Sequence, residues 1–440
     1  MIPRYYLATY GCQMNEYDSH LVATMLEERG FEEAHQAADA DLVVVNTCSI
    51  REKAEENIQM RIQALRPLKE ARPGMRIAVI GCMAENLGEK IRETLHHVDL
   101  VVGPDHYREL VELVSKPSAP QNATLVGFLP QEQYEGWFAK SITPFSTHIA
   151  IQKGCNKRCS YCIVPFTRGQ EKYRPVDQIL AEARHAVDQG VKEITLLGQT
   201  VNAYRSESES FVTLLDKVSQ INGLERLRFL SPHPRHYTQE LIDQLAHNPK
   251  ICRHVHLPLQ SGSDVMLKSM RRQYDLEDFL SIVERLRAID PLYGISTDII
   301  VGFVGETVDD FQQTLKALQI CQFDSAFLFR YSPRKGTESS AWKETLTEME
   351  KGERLQEAID LQNGITLARN RLMLGRTETI LVEGPSRRDP LEFIGKTSSF
   401  KKVVLVSPKT LQPGDLVEAL LNDLRGWTLR GEPLHSRSLS

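Results

Sequence analysis

The chain has 440 residues, of which 41% are hydrophobic and 25% are charged, and its formal net charge is −5. This length predicts two to four domains with sizeable cores. No stretch approaches the roughly 18 apolar residues of a spanning helix, and the first residues lack a secretory pattern. We therefore expect a cytoplasmic protein with no membrane partner, and its eight cysteines indicate metal ligation rather than disulfides.

The first 110 or so residues alternate between strand and helix patterns. Apolar runs predict strands at 5–9, 41–46, 76–80 and 99–102, and helical patterns cover 16–29 and 51–69. Strands that alternate with helices pair in parallel, so the sequence predicts a doubly wound α/β domain over residues 1–115.

A cysteine follows each of the first three predicted strands: Cys12, Cys48 and Cys82. Sites in open parallel sheets form at the carboxyl ends of the strands, where these three residues can converge. A single cysteine of this kind is usually a small core residue. Three at equivalent positions favour an iron–sulfur cluster with three protein ligands, provided that the strand assignments hold.

Residues 116–145 are rich in proline and polar residues and predict a linker. A second cysteine motif follows: Cys155, Cys159 and Cys162 are spaced x3 and then x2 after an apolar run. Three thiolates leave one iron of a [4Fe–4S] cube open for a bound molecule. This spacing resembles that of radical S-adenosylmethionine (SAM) enzymes. A zinc site is the alternative, but zinc favours paired C-x2-C elements and four ligands.

The alternation of strands and helices resumes over residues 146–375 and predicts a partial (β/α)6 barrel with its site at the strands' carboxyl ends. Predicted strands are 148–152, 193–197, 226–230, 254–257, 294–301 and 324–331, with helices at 176–189, 276–288, 308–320 and 348–370.

The last segment, 376–440, has short β-prone runs at 379–382, 402–406 and 416–421 and a surplus of two positive charges. This pattern predicts a small β-barrel of about five strands. Lys396, Lys401, Lys402 and Lys409 are candidate contacts to nucleic-acid phosphates, and an ordinary solvated surface is the alternative.

Nine ordered motifs resemble those of the methylthiotransferases of the radical SAM superfamily. They are Thr9-Tyr-Gly-Cys-Gln-Met-Asn-Glu-Tyr-Asp-Ser19, Asn46-Thr-Cys-Ser-Ile-Arg-Glu-Lys-Ala54, Gly81-Cys-Met-Ala84, Gln152-Lys-Gly-Cys-Asn-Lys-Arg-Cys-Ser-Tyr-Cys162, Thr167-Arg-Gly169, Leu197-Gly-Gln-Thr-Val-Asn-Ala-Tyr204, Ser231-Pro-His-Pro234, His256-Leu-Pro-Leu-Gln-Ser-Gly262 and Ser296-Thr-Asp-Ile-Ile-Val-Gly302. The resemblance implies an N-terminal methylthiotransferase domain, a radical SAM core and a C-terminal RNA-binding TRAM barrel.

The resemblance also implies the reaction. Two [4Fe–4S] clusters and two molecules of SAM would place a methylthio group on C2 of an adenine next to the anticodon of a tRNA. One cluster would be held by Cys12, Cys48 and Cys82, and the SAM-binding cluster by Cys155, Cys159 and Cys162. The C2–H bond offers no proton of accessible pKa, so the cofactors must supply the difficult step.

Seven residues at strand ends are implied as SAM contacts: Gly198, Gln199, Gln260, Ser261, Gly302, Gly305 and Tyr331. Taken alone, each has a plainer explanation as a turn or core residue. Arg168 is expected to pair with a SAM carboxylate, an RNA phosphate or a surface acid. Cys252 and Cys321 match no motif and are expected to be buried core thiols.

The motifs favour N6-dimethylallyladenosine in tRNA as the substrate. Alternatives within the family are threonylcarbamoyl-adenosine in tRNA and an aspartate of a ribosomal protein. A non-catalytic iron–sulfur RNA-binding or electron-transfer protein and a zinc scaffold are alternatives of other classes. We expect a sulfur donor and, from the low potentials of such clusters, a flavodoxin or ferredoxin as electron donor.

Overall fold

The computed structural model describes residues 2–49, 52–116, 118, 120–387, 389 and 391–434, without the side chains of 52–54. Positions 50 and 51 of the Asn46–Ala54 motif, positions 117 and 119 of the predicted linker, and residues 435–440 of the last predicted domain lie outside these residues. Within the described chain, no helix combines the length and the apolar character that crossing a membrane requires.

The N-terminal domain is built on a six-stranded parallel sheet. Its strands, in order across the sheet, are Glu32–Glu33, Arg4–Thr9, Leu42–Thr47, Arg76–Gly81, Leu100–Val102 and Ala123–Leu125. Its helices are Gln13–Glu28, Glu52–Gln63, Arg66–Ala71, Cys82–Leu87, Lys90–Thr94 and Tyr107–Ser115. The predicted doubly wound domain is confirmed, with two short edge strands that the sequence pattern did not reveal.

One predicted helix is divided in two. The pattern at 51–69 predicts a continuous helix, whereas the structure ends one helix at Gln63 and starts another at Arg66. Pro67 lies in the first turn of the second helix. Its ring fits there and would disrupt a helix interior.

The segment predicted as a linker packs against the N-terminal domain. Its strand Ala123–Leu125 extends the sheet beside Leu100–Val102. Tyr134 is buried, stacks on Tyr107 at 5.5 Å between ring centroids, and bonds through its hydroxyl to the Pro104 carbonyl at 2.5 Å. These contacts hold the segment against the sheet.

The core has six main strands that follow one another along the chain. They form two parallel three-stranded sheets, one of Ser146–Ala150, Glu193–Leu197 and Arg226–Phe229, the other of His254–His256, Gly294–Val301 and Ser325–Arg330. A bridge between Leu227 and Ile251 joins them, so the predicted partial barrel is confirmed. The larger core helices are Val176–Asp188, Phe211–Ser219, Gln239–His247, Leu276–Ile289, Val308–Cys321 and Glu348–Arg371, and smaller elements are Val164–Thr167, Asp264–Ser269 and the pair Gln152–Lys153 and Lys172–Tyr173.

The C-terminal segment closes into a five-stranded barrel, as predicted. Its strands are Thr377–Pro385, Glu392–Lys396, Lys402–Val406, Leu416–Arg425 and Thr428–Pro433. The second and fifth had not been predicted, because each is short and carries charged residues among the apolar ones.

The barrel docks on the amino-terminal ends of the core strands. Arg226 and Arg228 donate hydrogen bonds to carbonyl oxygens of the barrel, and Phe400 stacks on His254 at 4.9 Å. Lys401 is buried there and pairs with Asp324 at 2.8 Å. Its prediction as a phosphate contact is therefore wrong, because its charge is already used inside the protein.

Candidate iron–sulfur and SAM site

A cavity of about 300 Å³ lies between the N-terminal domain and the carboxyl ends of the core strands. All six cysteines of the two motifs line it: Cys12, Cys48, Cys82, Cys155, Cys159 and Cys162. None of the six forms a disulfide. The structure therefore brings together two cysteine sets that lie more than 70 residues apart at their closest in the sequence.

The three N-terminal cysteines occupy strand-to-helix turns. Cys12 is the residue before helix Gln13–Glu28, and Cys82 begins helix Cys82–Leu87. Cys48 directly follows strand Leu42–Thr47. Gly11 has a φ of 136°, and a Cβ there would come within 2.8 Å of the Cβ of Cys48. Glycine at this position therefore allows two cysteine turns to approach each other.

The three core cysteines lie on one loop between the short strand Gln152–Lys153 and helix Val164–Thr167. The loop is tied at one end by a hydrogen bond from the Cys155 amide to the Gly169 carbonyl at 3.0 Å. The Cys162 amide bonds to the Cys159 carbonyl at 3.1 Å, which makes a tight turn between these two cysteines.

Arg168 connects the core loop to the N-terminal domain. It is buried, and its guanidinium donates to the Cys82 sulfur at 3.0 Å, to the Asn15 side-chain oxygen at 3.0 Å and to the Asp18 carboxylate. A surface ion pair, one of the expectations from the sequence, is excluded. Burial raises the pKa of the Cys82 thiol, and the Arg168 charge opposes that shift.

A second buried arginine makes a parallel connection. Arg334 follows the last core strand, donates to the Ser49 carbonyl next to Cys48, and pairs with Glu55 at 3.0 Å. Two arginines of the core thus fix two of the three N-terminal cysteine turns.

Positive charge also lies against the loop that carries the three core cysteines. Arg272 is buried and donates to the Cys159 sulfur at 3.4 Å, with its guanidinium over the Tyr274 ring. Burial raises the pKa of Cys162 to about 12, and the neighbouring Cys159 adds to that shift. A free Cys162 thiol is thus protonated at neutral pH, and a metal centre would be needed to hold it as a thiolate.

His233 is fixed in the cavity wall. Its amide donates to the Asn202 side-chain oxygen at 2.8 Å, and the Asn202 amide group donates back to the His233 carbonyl at 3.0 Å. Its Nδ1 accepts from the Arg235 amide at 3.2 Å. Burial, followed by the Arg272 charge, lowers the pKa of His233 to about 2. The ring is therefore neutral, with its proton on Nε2.

The seven residues implied as SAM contacts fall into two groups. Gly198, Gln199 and Gln260 line the cavity. The Gln199 side-chain oxygen is buried and has no hydrogen-bond partner among the described residues. Such an oxygen needs a donor, and a ligand with an amino group supplies one.

Ser261, Gly302, Gly305 and Tyr331 are described by the structure but are not among the residues that line the cavity. Ser261 is buried against Thr314, at 3.3 Å between hydroxyl oxygens. A Cβ on Gly302 would meet the Lys351 side chain at 2.6 Å, and the Gly305 amide bonds to Thr345. Tyr331 packs on Phe303, behind the cavity wall.

Several residues of the site went unpredicted: Asp18, Lys153, Arg272, Asp298 and Arg334. Asp18, Lys153 and Asp298 lie within the quoted motifs, but their contacts join segments far apart in the sequence: Lys153 lies 3.7 Å from Asp18, and Asp298 lies 3.1 Å from His256. A local pattern therefore gives none of the five residues its role. Cys252 and Cys321 are buried in the core, as predicted.

No three His, Cys, Asp or Glu side chains within the described residues converge closely enough to hold one metal ion. A single zinc ion requires such convergence, whereas a cluster spreads its thiolates over separate irons.

Three family models match consecutive parts of the chain. Residues 4–103 match an uncharacterized protein family, UPF0004; residues 149–318 match the radical SAM superfamily; and residues 371–434 match the TRAM domain.

Curated relatives match almost the whole chain. A tRNA-2-methylthio-N(6)-dimethylallyladenosine synthase of Burkholderia ambifaria (strain MC40-6) is 40% identical over 448 residues, which cover 99% of this chain and 98% of the relative. The protein of the same name from Moorella thermoacetica is 39% identical over 440 residues, with 97% of each chain covered.

Solved structures share the fold at low identity. The radical SAM methyltransferase TsrM of Kitasatospora setae has a TM-score of 0.58 and 16% identity, with 77% of each chain covered. The cobalamin-dependent radical SAM enzyme OxsB has a TM-score of 0.51 and 11% identity, covering 82% of this chain and 56% of that one.

Proposed function

The chain belongs to the family of the tRNA-2-methylthio-N6-dimethylallyladenosine synthases, and we propose that it performs their reaction. It is a radical SAM methylthiotransferase that adds a methylthio group to C2 of N6-dimethylallyladenosine next to the anticodon of a tRNA. We assign residues 1–115 to the methylthiotransferase domain, 116–145 to the connection, 146–375 to the radical SAM core and 376–440 to the TRAM barrel.

One observation carries this proposal: both cysteine sets face one cavity between two domains. We assign Cys12, Cys48 and Cys82 to one [4Fe–4S] cluster and Cys155, Cys159 and Cys162 to the cluster that binds SAM. Two cofactors that must act on one base have to lie close together, and this cavity provides that proximity.

The surroundings fit such groups. Arg168 and Arg272 place positive charge at 3.0 and 3.4 Å from the sulfurs of Cys82 and Cys159. Clusters with thiolate ligands are anionic, and hydrogen bonds to the sulfurs are among the factors that tune them. The unpartnered oxygen of Gln199 is a matching acceptor for the amino group of SAM.

When bound, the clusters and SAM supply the radical and sulfur-transfer chemistry that side chains lack. The side chains orient the reactants and exclude water. Apolar atoms of Met14, Ile163 and Leu197 contribute to the cavity wall. A largely dry wall protects reactive species from water and strengthens the electrostatic contacts inside.

His233 offers a hydrogen-bond donor whose direction is fixed. Because Nδ1 is occupied by the Arg235 amide, the neutral ring presents its Nε2–H as a donor. We assign this donor to an acceptor nitrogen of the adenine or to a carboxylate of SAM.

The seven residues implied as SAM contacts have two proposed roles. We propose that Gly198, Gln199 and Gln260, which line the cavity, contact SAM. We propose that Ser261, Gly302, Gly305 and Tyr331 act from behind the wall, by holding the loops that carry the contacts. Gly302 and Gly305 have positive backbone φ angles, 69° and 85°, which residues other than glycine rarely adopt.

We further propose a low-potential electron donor, a flavodoxin or ferredoxin, together with a sulfur donor and a cytoplasmic location. Low-potential clusters require a reductant of comparable potential. Free thiols and tRNA occur together in a reducing compartment.

The test is an anaerobic reaction. Protein reconstituted with iron and sulfide is incubated with SAM, a reductant and tRNA from cells that lack this gene, and the nucleosides are digested and weighed. We expect 2-methylthio-N6-dimethylallyladenosine together with 5′-deoxyadenosine. If 5′-deoxyadenosine forms but no tRNA nucleoside gains the methylthio mass, the substrate assignment is wrong. Threonylcarbamoyl-adenosine and the ribosomal aspartate are then tested next.

A further inference from the structure

A second cavity, of about 410 Å³ and open to solvent, adjoins the cluster loop. We call it the basic groove. It is lined by Asn156, Lys157, Glu171, Tyr173, Ala203, Arg205, Arg235, His236 and Gln273. These residues come from the cluster loop and from the segments that follow the first four core strands, so the groove lies at the carboxyl ends of those strands.

The groove is positive on an acidic protein. Lys157, Arg205 and Arg235 form no ion pair with any carboxylate that the structure describes. The single acidic group, Glu171, is engaged by the Asn156 amide at 3.2 Å and by the Tyr173 hydroxyl at 2.5 Å. The whole chain, by comparison, has a formal charge of −5.

The positive side chains of the groove contact neutral partners. Lys157 lies 3.0 Å from His236 Nε2, and Arg235 donates to Gln273 at 3.2 Å. Burial and then the Lys157 charge lower the pKa of His236 to about 4, so this ring is neutral near pH 7. Arg205 and Arg235 remain exposed, and their guanidinium groups are free to bind an anion.

The groove adjoins the catalytic cavity. Lys157 lines both cavities, and His233 in the catalytic wall packs against His236 in the groove, at 5.9 Å between ring centroids. A polymer that inserts one base into the catalytic cavity must leave its flanking backbone at the mouth of that cavity.

We propose that the basic groove binds the phosphodiester backbone of the anticodon loop beside the reacting adenosine. This inference rests on the proposed function and names where its RNA substrate lies. Arg205 and Arg235 bind phosphate oxygens, because guanidinium groups match phosphate geometry.

The groove also offers a surface for a base. The Tyr173 ring lines it, with the Arg205 guanidinium 5.8 Å from the ring centroid. Proteins bind unpaired RNA by stacking bases on aromatic rings or guanidinium planes while cations contact the phosphates. A single-stranded loop is the form of RNA that fits this arrangement.

The test replaces both exposed arginines with a neutral residue, as Arg205→Gln with Arg235→Gln. Binding of a synthetic anticodon stem-loop that contains N6-dimethylallyladenosine is measured over a range of salt concentrations. We expect affinity to fall about tenfold or more, and the slope of log affinity against log salt to fall by about 1.4 to 2. The pair Arg205→Lys with Arg235→Lys keeps both positive charges, so it should restore the salt slope.

The matched control is Arg29→Gln with Arg184→Gln. Both residues are exposed arginines outside the groove, and this pair should bind as the wild type does. Unchanged affinity and slope in the Arg205 and Arg235 glutamine pair would overturn the groove, as would a salt slope in the lysine pair that falls as far as in the glutamine pair.

Wild-type protein, assayed in parallel, separates the two proposals. If it forms the methylthio nucleoside while the glutamine pair binds normally, the groove alone is wrong. If it binds the stem-loop with the expected dependence on Arg205 and Arg235 but forms no methylthio nucleoside, the proposed reaction alone is wrong. If the wild type neither binds the stem-loop nor forms the methylthio nucleoside, both proposals are wrong.

Discussion

Arg168 concentrates three interactions in one buried side chain. It contacts the Cys82 sulfur, the Asn15 amide oxygen and the Asp18 carboxylate, and Asp18 itself is fully buried. Tyr107 also donates to Asp18, at 3.2 Å. Without Arg168, the buried carboxylate would keep its desolvation cost but lose its hydrogen-bonded cation, and Lys153, 3.7 Å away, would compensate only in part.

Replacing Arg168 with Met, which keeps length but removes charge, should therefore destabilise the interface by about 3–5 kcal/mol. Cluster occupancy should fall at Cys12, Cys48 and Cys82 and persist at Cys155, Cys159 and Cys162. Chemical denaturation and iron content, with electron paramagnetic resonance to distinguish the clusters, measure both effects.

The control for this substitution is Arg158→Met. Arg158 is an exposed arginine on the core cysteine loop. Its replacement should change stability by less than about 0.5 kcal/mol. Equal effects of the two substitutions would show that Arg168 has no special role at the interface.

His148 makes stability depend on pH. It lies in the first core strand, 3.7 Å from Glu16 of the N-terminal domain. Burial, followed by the charge of His20, lowers the pKa of His148 from 6.5 to about 4. The charge of Glu193 and a hydrogen bond with the Gln13 backbone raise the pKa of His148, but burial of the ring outweighs them.

Proton linkage gives the direction in which folding stability changes with pH. Below its ordinary pKa the unfolded chain binds a proton at His148 that the folded chain refuses, so stability falls as pH drops from about 6.5 to about 4. The loss from one such group is at most about 1.4 kcal/mol per pH unit. His148→Gln should flatten this part of the curve in urea denaturation. An unchanged pH dependence would exclude His148 as a source.

At the scale of elements, the site is predictable where it depends on topology. Cys12, Cys48 and Cys82 each follow a parallel strand, and such strand ends share one edge of a sheet. The contacts of Arg168 and Arg334 could not be predicted, because they depend on how two domains dock. The role of Lys401 as a phosphate contact was wrongly predicted for the same reason.

The junction between the C-terminal barrel and the core depends on Asp324. This buried carboxylate accepts from Lys401 at 2.8 Å, from Arg287 at 3.1 Å and from Arg369 at 3.3 Å. Burial would raise the pKa of Asp324, but the three cations outweigh it and hold the pKa below its usual range. Burial lowers the pKa of Lys401. The charge of Asp324 opposes this shift only in part, because Arg287 and Arg369 share the same carboxylate.

Asp324→Asn should therefore destabilise the protein by about 3–5 kcal/mol, because three buried or half-buried cations lose their counter-charge. Limited proteolysis should then release the barrel at lower denaturant concentrations than in the wild type. Asp264→Asn, at an exposed position, is the control. A stability loss below about 1 kcal/mol for Asp324→Asn would contradict this description of the junction.

Across the whole molecule, the two appended domains contact opposite ends of the core strands. The N-terminal domain meets the carboxyl ends through Arg168 and Arg334. The C-terminal barrel meets the amino ends through Arg226 and Arg228. A tRNA that contacts the barrel and the catalytic cavity together must pass along the flank of the core.

Removing the barrel from residue 377 onward would uncover buried arginines of the core, so the deletion would damage the core as well as RNA binding. Substitution of the exposed Lys402 and Lys409 by Gln is the cleaner test. We expect weaker tRNA binding, a salt slope lower by about 1.4 to 2, and unchanged stability. Unaltered binding would remove these two lysines from the RNA interface.

We propose that the two cysteine sets serve one reaction in one cavity. The most direct test compares the product nucleosides of two triple variants under anaerobic conditions. Alanine at Cys155, Cys159 and Cys162 should leave about half the iron and abolish 5′-deoxyadenosine formation. Alanine at Cys12, Cys48 and Cys82 should retain 5′-deoxyadenosine formation and end methylthiolation. Methylthio-nucleoside from the second variant would contradict the claim.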